Sequence, residues 1–196
     1  MMTTMNHTPD NRDPRWRLLI WGVPAALLAL PAVAMRFTPE VQWTAFDFVV
    51  IGVMLASAAG AIDALTVRRG GWAAKAGGAL AVVGLFLLVW INLAVGMIGD
   101  EGDPANLMFA AVIATIVGGA FVSRLRPGGM AVTMLIAAGV QALVAGIALA
   151  MRWGDYGIGW PQDVIGTSAI MASIWMTSAV LFRVADGLSR RLHPQS

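Results

Sequence analysis

The sequence predicts an all-α fold: a six-helix transmembrane bundle of three antiparallel hairpins, with both termini cytoplasmic. Three observations carry this. The chain is 58% hydrophobic and only 12% charged over 196 residues, against about 25% charged in a soluble domain. Six apolar segments are each long enough to cross a hydrocarbon core of ~30 Å, which takes about 20 helical residues. Eleven of the thirteen Lys and Arg residues fall on alternate connections and the two tails.

The elements follow in order. Residues 1–14 are polar, contain Pro9 and Pro14, and read as a flexible tail. The spans are placed at 17–35, 46–66, 77–98, 105–123, 130–151 and 164–182, each bounded by charge, Gly or Pro. Backbone groups in lipid must be satisfied within the segment, so these are helices. The period-two alternation of barrel strands is missing. The last helix continues past Arg183 to about Leu192 and stops at Pro194. The membrane domain is therefore 15–192, with 193–196 as a tail. The first span has a rival reading: Arg15 and Arg17, an apolar run and Ala32-Val33-Ala34 also describe a signal peptide. That run of about 18 residues exceeds the usual 7–15, which favours an uncleaved helix.

Orientation follows from charge. Arg12, Arg15 and Arg17, then Arg68, Arg69 and Lys75, then Arg124 and Arg126, then Arg183, Arg190 and Arg191 share one side; only Arg36 and Arg152 lie opposite. The positive-inside rule makes the first side cytoplasmic. Trp43, Trp153, Trp160 and Tyr156 suit the outer aromatic belt, and Trp16, Trp21 and Trp72 the inner one. The two outer segments Met35-Arg36-Phe37 and Met151-Arg152-Trp153 each lead to a Trp and a helix-starting Asp. Interface chemistry accounts for this likeness without an internal repeat.

Composition excludes several functions. A net charge of +2 with no basic patch argues against nucleic acid. There are no cysteines, which rules out disulfides, thiol catalysis and Cys-held metals. The histidines, His7 and His193, lie in the tails, so no span can hold haem or a metal through His. Phosphate-loop, GxSxG and HExxH motifs are absent, and no cofactor is expected.

The candidate site residues form two groups. Asp100, Glu101 and Asp103 make an acidic cluster between the third and fourth spans. Three carboxylates could offer hard oxygen ligands to Ca²⁺ or Mg²⁺, but the spacing of a calcium loop is missing. Asp103-Pro104-Ala105-Asn106 instead has the form of a helix start, with Asp103 as N-cap and Pro104 at the first helical position. Thr38-Pro39-Glu40 has a similar form. The second group is polar and intramembrane, where such groups are expensive. Asp63 lies near the basic end of the second span and reads as a carboxylate paired with an arginine, or as a proton carrier. Asn92 and Gln141 lie deeper and read as clasps between helices, or as substrate contacts. Gly166, Ser173 and Thr177 share a face of the sixth helix, fit for a polar path or a close-packed seam. Gly52-Ala56-Gly60 and Ala138-Ala142-Gly146-Ala150 repeat small residues every four positions, as packing seams do.

Phe37-Thr38-Pro39-Glu40-Val41-Gln42-Trp43-Thr44 with Asp47-Phe48, Trp90-Ile91-Asn92-Leu93-Ala94-Val95-Gly96, Pro104-Ala105-Asn106-Leu107, and Ile174-Trp175 with Leu181-Phe182-Arg183 together resemble an uncharacterised family of small bacterial multi-spanning inner-membrane proteins. The resemblance implies a bacterial inner-membrane protein of this architecture, with Trp43, Asn92, Glu101, Pro104 and Asn106 in its signature. It implies no activity. The function expected from the residues is a non-enzymatic accessory, assembly or scaffold subunit whose partners are the lipid bilayer and another membrane protein or a second copy. The alternatives are a small-solute transporter or channel, and a metal-assisted enzyme acting on a lipid or isoprenoid.

Overall fold

The computed structural model describes residues 14–67 and 71–192. The tail readings at 1–13 and 193–196, and the positions of Arg68 and Arg69, lie outside the described residues. Those residues are all-helical, with six helices long and apolar enough to cross a membrane. They form two compact units, divided near residue 69.

The first unit is a helical hairpin of α1 (Pro14–Ala34) and α2 (Ala45–Val67). Pro14 opens α1, where its missing N–H costs nothing. Thr44 and Asp47 make a reciprocal capping box for α2. The Thr44 amide donates to Asp47 Oδ2 at 2.7 Å, and the Asp47 amide donates to Thr44 Oγ1 at 3.3 Å. In the loop before it the Thr38 Oγ1 accepts from the Glu40 amide, which makes a turn there and not the helix start that the Thr38-Pro39-Glu40 form suggests. The contact face of α2 is not the one the small residues suggest. Leu55 and Ala59 are buried, while Ala56 is exposed. Gly52 does approach α1, with Leu28 3.6 Å from where its Cβ would sit.

The second unit contains α3 (Trp72–Ala94), a 3₁₀ helix (Pro104–Phe109) running into α4 (Ala110–Val122), α5 (Pro127–Ala150) and α6 (Gln162–Leu192). Its spatial order is α3, α6, α5, α4. The middle pair therefore differs from the expected hairpin: α3 packs along α6 and α4 along α5. The reason lies in the residue faces. Along α6, Val164, Ser168, Met171, Trp175, Ser178, Phe182 and Ala185 are all buried, alternating four and three residues apart. Along α5, Met130, Met134, Ala137, Gln141, Val144 and Ala148 repeat the same spacing, with Ala131, Ala138 and Ala145 beside them. A 3.5-residue repeat keeps one seam facing its partner along a left-handed pair, and the alanines let the backbones approach. On α3, Gly77, Ala81, Gly84 and Leu88 supply a third such line. Ser178 Oγ donates to the Gly77 carbonyl at 2.8 Å, and the Trp175 ring occupies the space a Cβ on Gly84 would need.

Helix ends depart from the sequence reading most at α3. It begins at Trp72 rather than 77 and ends at Ala94 rather than 98. Gly96 takes a left-handed φ of +78°, and the Val95 and Gly96 amides both donate back to the Ile91 carbonyl, which stops the helix. Met97 and Ile98, apolar enough to look helical, are instead buried in the loop that follows. The last helix runs to Leu192, as the sequence reading expects.

Candidate functional site

The loop from Val95 to Asp103 leaves α3, which borders α6, and must reach α4, which borders α5. It therefore crosses the ends of α5 and α6. Asn106 organises the crossing. Its Oδ1 accepts from the Met97 and Ile98 amides, both at 2.9 Å. Its Nδ2 donates to the Ile98 carbonyl at 3.0 Å and the Asp100 carbonyl at 2.7 Å. An amide side chain offers two donors and two acceptor lone pairs, so a single buried residue meets four backbone groups with its full capacity. In the sequence Asn106 stands in a helix start and in the signature of the resemblance; nothing local in it says that the residue reaches back nine positions.

Asp103 takes the capping role that its spacing indicates. Its Oδ1 accepts from the Ala105 amide at 2.8 Å, with Pro104 at the first helical position. The other oxygen, Oδ2, accepts from the Tyr156 hydroxyl at 2.9 Å, which joins this loop to the α5–α6 connection. That bond holds the Tyr156 phenol above its ordinary value near 10, because ionisation would remove the donated proton and set two negative groups together. Gly99 and Gly154, at φ +67° and +80°, complete the junction. A Cβ on Gly154 would stand 2.4 Å from the Gly99 nitrogen. Asp100 Oδ1 accepts from the Gly102 amide at 3.0 Å, and Glu101 is exposed. The acidic cluster thus spends two of its three carboxylates on its own backbone. Among the described residues no three Asp, Glu, His or Cys side chains converge as a metal would need.

The intramembrane candidates are not brought together. Asn92 lies two residues from the end of α3, or ~3 Å along the axis, rather than deep in a span. Its Nδ2 donates to the Leu88 carbonyl of its own helix at 2.7 Å, so it is not a clasp between helices, and its Oδ1 is buried without a partner. Gln141 is fully buried in the α5–α6 seam, and its Nε2 makes only a long 3.4 Å approach to Ser168 Oγ. Gln141 Oε1 and Trp175 Nε1 are likewise buried and unmatched. Ser173 and Thr177 do share a face, but that face is exposed. Their hydroxyls donate to the Ala169 and Ser173 carbonyls of α6 at 2.7 and 2.8 Å. With Leu80, Ala169, Ile170 and Ile174 they line an open, mainly apolar groove of about 420 Å³. Ala142, Gly146 and Ala150 are also exposed, so only Ala138 of that small-residue row enters the core.

In the first unit Asp63 pairs across the hairpin. Arg17 Nη2 lies 3.2 Å from Asp63 Oδ2, with the carboxylate side chain 16% exposed and the arginine 68%. An arginine partner is what the sequence suggests, but it comes from α1, forty-six positions away.

No known protein family, curated protein or solved structure matches this chain. The residues of the crossing loop supply hydrogen-bonded junctions.

Proposed function

We propose that the chain is a polytopic protein of the bacterial inner membrane, with both termini cytoplasmic, that serves as a non-enzymatic accessory or assembly subunit. One observation carries this reading: several of the polar side chains that a path or an active site would use bond to their own backbone. Ser173, Thr177 and Asn92 bond to helix carbonyls one turn away, and Asp100 and Asp103 bond to loop amides. The exposed Ala142, Gly146 and Ala150 of α5 suit the close approach of a helix from another membrane protein or a second copy. The test is extraction from the native membrane in mild detergent, followed by the mass of the particle and identification of what accompanies it. A stoichiometric second protein or a defined homo-oligomer is the expected result; a lone monomer would overturn the reading.

One observation favours the transporter reading instead: the unmatched Gln141 Oε1 inside the core. A transporter uses such a group to hold its solute, so replacing it would abolish uptake.

A further inference from the structure

Arg17 lies near the start of α1. Arg15, Trp16 and Arg17 occupy its first turn and are exposed, and the run from Leu18 onward is apolar. Beside them lies an open groove of about 600 Å³ lined by Arg17, Leu18, Trp21 and Gly22. The space beside Gly22 is open, since a Cβ placed there would meet nothing within 4 Å. The cation at the mouth is held in place. One guanidinium nitrogen, Nη2, is tied to Asp63, yet the side chain stays 68% exposed. The exposed part of the guanidinium can fork onto an anionic oxygen, the geometry with which it matches phosphate. The layout is thus a fixed cation, an indole and an open apolar groove beyond it.

We infer that this groove holds an anionic phospholipid of the bilayer, with its phosphate on Arg17 and one acyl chain along Leu18, Trp21 and Gly22. In a membrane the phospholipid is the molecule that carries a phosphate at the head of a hydrocarbon chain. Basic sites at the ends of spans recognise it through that charge. The inference rests on the chain being membrane-embedded and not on the accessory role.

The test is native mass spectrometry of the full chain from nanodiscs of phosphatidylglycerol and phosphatidylcholine. Three variants are compared with the wild type. Arg17→Gln should lower retained phosphatidylglycerol about fivefold, the worth of one basic side chain at an anionic surface. Gly22→Leu should lower it while leaving every charge in place. Asp63→Asn breaks the same ion pair but keeps the cation, so retention should hold or rise. Unchanged retention in Arg17→Gln or in Gly22→Leu would overturn the site. So would an Asp63→Asn loss as large as that of Arg17→Gln, which would trace the effect to the hairpin. Release of the protein from membranes by alkaline carbonate would instead refute the embedding itself.

Discussion

At the scale of single residues, the junction around Asn106, Asp103 and Tyr156 makes two predictions. Tyr156 is the only tyrosine in the chain, so ultraviolet absorbance near the phenolate band reads its titration alone. The hydrogen bond to Asp103 raises its folded value, and its midpoint should lie above that of the unfolded chain. The sign follows: the contact contributes below the unfolded value near 10 and is lost as pH rises through the higher folded value. Asp103→Ala should bring the midpoint down; if it does not move, the bond to Tyr156 is not made in solution. Asn106 is the larger matter. Asn106→Ala strands two amides and two carbonyls, and an unmet buried group costs about 1–3 kcal/mol. We expect a loss of at least ~3 kcal/mol in thermal or denaturant unfolding, with faster amide exchange at Met97 and Ile98. Asn106→Asp should not rescue it, because the Ile98 and Asp100 carbonyls would then face a carboxylate instead of a donor. A neutral result for Asn106→Ala would mean that the loop is held by the Gly99–Gly154 contact.

At the scale of elements, the seams decide stability. A Cβ on Gly84 would stand 2.6 Å from the Trp175 ring, which is fully buried and cannot swing away. Gly84→Ala should therefore cost roughly 1–3 kcal/mol by overpacking, even though alanine is the better helix former. Trp175→Leu in the same chain should return part of that loss. Gln141 should behave in the opposite way. Its amide is buried with Oε1 unmatched, so Gln141→Leu, of similar volume, should be neutral or stabilising by thermal unfolding. Loss of solute uptake in that stable variant would establish the transporter reading. These cases show what the sequence could and could not reveal. Helix existence was legible because ~20 apolar residues between charges have one outcome in lipid. The α3 end was not, because Met97 and Ile98 are as apolar as a span and only Gly96 turns the chain. Nor was the α3–α6 pairing, which depends on a 3.5-residue line of small residues on one helix meeting Trp175 on another. Asn92 looked deep only because the helix was read four residues too long. The seams at Ala56 and Ala142 looked convincing because any Ala- and Gly-rich helix repeats small residues every fourth position on several faces.

At the scale of the whole molecule, the expectation concerns which ends face which compartment, and the chain is well suited to answer it. It has no cysteine, so each cysteine introduced is a single label. Phe37 and Ile158 are highly exposed in loops opposite the basic ends of their hairpins, while Leu125 and Ser189 lie at exposed basic-side positions. If the basic side is cytoplasmic, a membrane-impermeant maleimide on intact bacterial cells should label Phe37→Cys and Ile158→Cys. Leu125→Cys and Ser189→Cys should react only after lysis. The reverse pattern would invert the protein, and labelling of all four in intact cells would mean that the helices do not span. The mass of the purified chain closes the remaining alternative. Cleavage after Ala34 would remove α1 and with it Arg17, leaving Asp63 without the partner it has here. An intact α1 and a cytoplasmic basic side together place the Arg17–Asp63 pair at the inner face. There an anionic inner leaflet would meet the groove at Trp21 and Gly22.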